Sequence, residues 1–125
     1  MSKQLDSTRL QHLEYAAGRL NKRLYALTLD EFLADEDLQD IALRQFMVMG
    51  EAAAHVSEAV RQQHPQVDWR RITALRNFIA HEYFRIDYAL IWETVVDLLP
   101  PLLAELPEVL QYVLAHERGK PNSGV

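Results

Sequence analysis

The chain has no cysteine among its 125 residues. Disulfide bonds, thiolate nucleophiles and cysteine-ligated zinc sites are therefore excluded, and the composition suits a cytoplasmic protein. Glycine is scarce, at four residues, and no glycine-rich phosphate loop is present. No apolar run approaches the roughly 18 residues that a membrane span needs. The start, MSKQLDSTRLQHLEY, lacks an apolar block followed by a small-residue cleavage site, so it does not read as a secretory signal. Basic residues are the minority, 13 against 18 acidic, giving a net charge of −5 and a pI near 5.5. A general nucleic-acid coat protein is normally basic, because phosphate neutralisation supplies most non-specific affinity. Glu51 and His55 share a helix face four residues apart. No third ligand follows at a recognisable spacing, so neither a metal nor another cofactor is expected.

What remains is helix. Hydrophobic residues make up 49% of the chain, enough for one core-forming domain, expected over residues 1–117 with residues 118–125 as a flexible tail. Leu10, Leu13, Ala17, Leu20, Leu24 and Leu27 recur at three- and four-residue steps and predict a helix from Ser7 to Leu27, capped by Asp6 or Ser7. TLDEFLAD reads as a short helical turn capped by Thr28 or Asp30, with Phe32 and Leu33 inward. A second long helix is expected from Asp37 to Gln63, thinned by Gly50 and Ala52–Ala54 so that another helix can approach closely. Pro65 ends it. Asp68 caps a third helix from Trp69, with Ile72, Leu75, Phe78 and Ile79 as its apolar face. Asp87 caps a fourth near Tyr88, which Pro100 and Pro101 should kink or restart before it reaches about His116. The fold class is all-α, an antiparallel bundle of four or five helices.

Charge is uneven along the chain. Residues 28–40 carry Asp30, Glu31, Asp35, Glu36, Asp37 and Asp40 with no basic residue. Residues 61–85 carry Arg61, Arg70, Arg71, Arg76 and Arg85 against Asp68 and Glu82, a local excess of three positive charges. Such a field can attract a polyanion to one site of an acidic protein. Within it lies RNFIAHEY, residues 76–83. Arg76 is flanked by Ile72 and Ile79, so its guanidinium needs a partner. That partner is either a carboxylate (Glu51, Glu58 or Asp87) or a bound phosphate, which the planar fork suits. His81 is either a helix-end residue bonded to a carbonyl or a general acid–base group. Asn77 can orient His81 or hold a phosphate oxygen, and Tyr83 can pack, position a substrate or accept a modification. Arg76 and His81 are about 140° apart around a helix axis, which points to a cleft between helices or between two copies of the chain. His12, His64 and His116 read as ordinary surface residues.

DEFLADEDLQDIALRQFMVMGEAAAHV, VDWRRITALRNFIAHEYFRID and IWETVVDLLP together resemble the HepT-like branch of the HEPN superfamily, over roughly residues 8–105. The strongest element is R-x4-H-x-Y, filled by Arg76, His81 and Tyr83. The resemblance implies a HEPN-like homodimer whose paired bundles bring two such motifs into one cleft. It further implies a metal-independent endoribonuclease toxin in which Arg76 and His81 carry the cleavage. The cognate MntA-like nucleotidyltransferase antitoxin would transfer AMP to Tyr83. RNA would enter past Asn77, Arg70, Arg71 and Arg85, with Glu51 as a cleft carboxylate. Phe78 departs from the polar or basic residue common in relatives. The rival expectation is a non-catalytic dimeric helical partner of a nucleotidyltransferase, and a third is a purely structural dimer.

Overall fold

The computed structural model describes residues 5–119. Over that range the chain forms α1 (Asp6–Leu24), α2 (Leu29–Leu33), α3 (Glu36–Ala54), α4 (Glu58–Gln63), α5 (Trp69–His81) and α6 (Tyr88–Gly119), with one 3-10 turn at Tyr83–Arg85. No strand occurs among the described residues, and the expected all-α bundle is what forms. α3 lies between α1 and α5, while α6 packs along α1. The leucine stripe of α1 (Leu10, Leu13, Ala17, Leu20) is fully buried, as its spacing demands.

The helix ends differ from expectation in instructive ways. Asp6 does not cap α1. Its two carboxylate oxygens instead accept from the Ser57 amide at 2.8 Å and the Ser57 hydroxyl at 2.7 Å. An early α1 amide, that of Ser7, donates to Glu117 Oε1 at 3.2 Å. Ser57 in turn caps α4 by accepting from the Val60 amide. The single helix expected from Asp37 to Gln63 is therefore two, broken at 55–57. Ala52, Val56 and Val60 stay buried through the break, so apolar spacing alone concealed it. The serine hydroxyl offers the amides a partner outside the helical ladder.

α1 also ends earlier than Leu27. The Tyr25 amide closes on Asn21, and Ala26 turns the chain at φ 69°. Thr28, not Asp30, caps α2, in a reciprocal box with Glu31. Phe32 is fully buried against Tyr88 and Trp92, with ring centroids 6.4 and 5.3 Å away. Leu33, expected inward, is 43% exposed. On a one-turn helix adjacent residues diverge by ~100°, and only one of them can face the core. The last carbonyls of α2 are held by buried Gln39, whose amide donates to Phe32 O and Leu33 O, each at 3.1 Å.

Asp68 caps α5 by accepting from the Arg71 amide at 3.1 Å, as expected. Just before it, the Trp69 indole donates to His64 O at 2.9 Å. His64 is buried rather than on the surface, and its ring stands edge-on to Tyr112 at 4.9 Å. α6 runs unbroken through Pro100, Pro101 and Pro107, so the expected restart does not occur. All three prolines are exposed, as are Val96 and Asp97, whose carbonyls lose their helical donors to Pro100 and Pro101. Those carbonyls sit on the wet side of the helix, where water can satisfy them. α6 also runs past His116, and Glu117 is tied to α1. Of the expected tail, residues 118 and 119 are helical, and the rest lies outside the described residues.

α3 and α5 approach closely at Gly50. A Cβ there would overlap the Arg76 Cβ and stand 3.0 Å from the Ile72 carbonyl oxygen. Nothing lies within 4 Å of a Cβ built at Gly18, in mid-α1. Glycine inside a helix ordinarily costs about 0.5–1 kcal/mol relative to alanine. Gly18→Ala is therefore expected to stabilise by about that amount. Gly50→Ala is expected to destabilise by about 1–3 kcal/mol through overpacking. Urea unfolding of the two variants beside the parent checks the opposite signs.

Candidate functional site

α5 carries Arg76, Asn77 and His81 of the motif on a helix whose other side packs on the core. Trp69, Ile72 and Ile79 are buried, while Leu75 and Phe78 pack partly against the core. Arg76 falls between these on the side facing α3, and the absent side chain of Gly50 lets its stem lie against that helix. The guanidinium then meets the next residue of α3. Arg76 Nη1 donates to Glu51 Oε2 at 2.7 Å. Its Nε and Nη2 approach Asn77 Oδ1 at 3.4 and 3.3 Å. Among the three expected carboxylates, Glu51 is the partner. The Arg76 side chain is 26% exposed, so this pair sits at the rim of the core and not inside it.

Glu51 is also reached from its own helix. His55 Nδ1 lies 2.8 Å from Glu51 O and 3.5 Å from Glu51 Oε1. The metal pair suggested by Glu51 and His55 gains no third ligand. No group of three or more metal-ligating side chains occurs among the described residues. Beside the Arg76–Glu51 pair a hollow of about 350 Å³ opens onto Arg9, His12, Met47, Val48 and Ala52. Arg9 and His12 come from α1, and sequence spacing gave no signal for them. Only the docking of α1 on α3 places them there.

His81 is the last residue of α5 and is exposed. Its side chain makes no hydrogen bond among the described residues. The carbonyl-bonded role considered for it belongs instead to His55 and His116, the latter 3.1 Å from Tyr112 O. Tyr83 opens the 3-10 turn and is 55% exposed. Its ring stands edge-on to Phe84 at 5.3 Å, and Phe84 is 95% exposed. Arg85 reaches Glu82 at 3.7 Å. Arg70 and Asn77 line a second hollow between α4 and α5, which Arg71 does not border. The structure thus joins Arg76, Asn77 and Glu51 directly, sets Arg70 with Asn77 on the second hollow, and leaves Arg71 and Arg85 outside both hollows.

The hydroxyl of Tyr88 is held above its usual 10.0 by burial first, then by the charges of Asp40, Tyr83 and Glu36. Charges of α3 therefore reach the start of α6 at Tyr88. A raised phenol favours the fold while neutral, so its contribution is intact below pH 10.0 and is lost as pH rises through the folded value. Tyr88→Phe is expected to lose less stability than the parent between about pH 9 and about pH 11, which urea unfolding at the two pH values checks.

A family model described as "Ribonuclease HepT-like" matches residues 13–109. A protein of Caldanaerobacter subterraneus subsp. tengcongensis, provisionally named an RNase, is 30% identical over 82% of this chain and 91% of its own length. Another from Methanocaldococcus jannaschii, also provisionally named an RNase, is 35% identical over 68% of this chain and 70% of its own. A protein of Thermococcus cleftensis, provisionally named ribonuclease HepT, is 29% identical over 61% of this chain and 69% of its own. No solved structure matches the chain at a meaningful level of similarity.

Proposed function

The chain belongs to the HepT-like family, and from that premise we propose that it is a metal-independent endoribonuclease, the cytoplasmic toxin of a toxin–antitoxin pair. One observation carries the reading. On a single helix, Arg76 is anchored at the edge of a hollow, and an exposed His81 with no hydrogen-bond partner among the described residues follows five residues later. Three of the five guanidinium N–H donors are engaged, one by Glu51 and two by Asn77. Two remain for a phosphate.

In the proposed reaction His81 accepts the proton of a ribose 2′-hydroxyl. The 2′-oxygen attacks the adjacent phosphorus and the bond to the 5′-oxygen breaks. The products are a 2′,3′-cyclic phosphate and a 5′-hydroxyl, which takes up a proton. Arg76 stabilises the charge that builds on the phosphoryl oxygens. Asn77 and Glu51 act on Arg76 as positioning residues, and Arg70, Arg71 and Arg85 supply positive field for RNA. Because Arg76 and His81 diverge by about 140° on one helix, the complete site is read as composite. Arg76 of one copy would work with His81 of a second in a homodimer. The half-exposed Tyr83 is the acceptor for AMP from an MntA-like nucleotidyltransferase antitoxin. The adduct would set a bulky anion beside the cleft and exclude RNA.

A second reading has its own observation. Phe84 is almost wholly exposed beside Tyr83, and an aromatic side chain in that state suits a docking surface. It favours a non-catalytic dimeric partner of the nucleotidyltransferase. RNA cleavage in EDTA separates the two. The parent is expected to cleave, and Arg76→Ala and His81→Ala are each expected to lose at least about 100-fold. Cleavage that requires magnesium and leaves 3′-hydroxyl ends would sink the mechanism, and a silent parent with an unmodified Tyr83 would favour the docking partner.

A further inference from the structure

Beside the Arg76 centre lies a more spacious hollow, about 830 Å³, between α4, the segment 64–68 and the start of α5. Val67 and Trp69 give it apolar surface, while Arg61, Arg70, Thr73 and Asn77 give it polar groups. Two carboxylates also border it, and both are engaged. Glu58 Oε1 accepts from the Gln62 amide at 3.1 Å, and Asp68 Oδ1 accepts from the Arg71 amide at 3.1 Å. Neither arginine forms an ion pair among the described residues. Moreover, Arg61 Nε and Thr73 Oγ1 are buried with no hydrogen-bond partner among the described residues. Buried donors in that state are costly unless an acceptor arrives.

Volume and chemistry narrow the acceptor. Small-molecule sites run from about 300 to 1,000 Å³, with apolar walls and a few convergent polar groups. Two unpaired guanidinium groups favour phosphate, which takes the planar fork in parallel bonds. The Trp69 indole N–H is already given to His64 O, so that residue offers surface and no donor. Asn77 borders this hollow and also accepts from Arg76. One side chain therefore joins the hollow to the proposed cleavage centre.

We propose that the α4–α5 hollow binds one nucleoside phosphate unit, its phosphate on Arg61 and Arg70, as the subsite for the nucleotide next to the cleaved bond. This rests on the ribonuclease reading for its substrate, but binding can be tested without cleavage. A short 2′-O-methyl RNA has no free 2′-hydroxyl and cannot be cut. It would be titrated into the full chain, with 5′-AMP as a parallel arm, and followed by NMR of the two indole N–H groups. Trp69 borders the hollow, whereas Trp92 packs on Phe32 far along the chain.

The expected result is a shift of the Trp69 signal with little change at Trp92. Affinity should fall at least about tenfold in R61Q/R70Q, and the log–log salt slope should drop by about 1.4. The double lysine variant should recover most of the slope, and Arg70→Gln alone, at an exposed position, should show a smaller loss should the double variant fold poorly. Oligomer binding much tighter than AMP binding assigns the unit to an RNA chain. Equal binding assigns it to a free nucleotide. An unmoved Trp69 in both arms, or affinity unchanged in the arginine variants, overturns the proposal. Intact binding without cleavage of ordinary RNA would instead count against the nuclease reading and leave the subsite standing.

Discussion

The contact between Gly50 and Arg76 sets the register on which the rest of the molecule depends. No side chain larger than hydrogen fits where α3 crosses α5, because the Arg76 stem and the Ile72 carbonyl fill the space. The neighbouring residue, Glu51, then finds the guanidinium at 2.7 Å. A missing side chain and a carboxylate, side by side in the sequence, do complementary work. One permits the approach and the other gives the arginine a counter-charge. With Arg76 fixed, helical geometry fixes Asn77 beside it and carries His81 to the end of α5, where the 3-10 turn presents Tyr83.

Around that crossing, polar cross-ties supplement the apolar packing at helix ends and between distant segments. Asp6 holds Ser57, Glu117 holds the start of α1, Gln39 holds the end of α2, and Trp69 holds His64. Each joins residues that are distant in sequence or closes a helix end. By contrast, His81, Tyr83 and Phe84 stand exposed at one corner. Tyr88 follows in the chain, its hydroxyl raised by burial first and then by the charges of Asp40, Tyr83 and Glu36. An AMP group on Tyr83 would add negative charge beside the arginines proposed to hold RNA. On the proposed reading that works against RNA through charge as well as bulk.

Much of this was legible in the sequence because it rests on local rules. Apolar spacing located the long helices, Asp68 announced the cap of α5, Thr28 was one of two candidates for the cap of α2, and Gly50 announced a close approach. The departures come from long-range competition. Ser57 breaks a helix whose apolar stripe continues past it, and Asp6 leaves its own helix end to hold that serine. The prolines of α6 do not restart it because their cost falls on the solvent face, which spacing does not reveal without knowing what packs on the other side. At the site, helical spacing offered Arg76 three carboxylates and could not choose among them. It gave no sign that Arg9 and His12 reach a hollow, which they do only through helix docking, and it marked Arg61 only as part of a basic stretch.

The central claim is that one site is shared by two copies of the chain. The most direct measurement mixes two inactive proteins, Arg76→Ala and His81→Ala, after unfolding and refolding them together. If each site takes its arginine from one copy and its histidine from the other, mixed dimers hold one intact site, and an equal mixture should regain roughly a quarter of parental RNA cleavage. A mixture as silent as its components, with mixed dimers demonstrated by mass, would contradict the shared site.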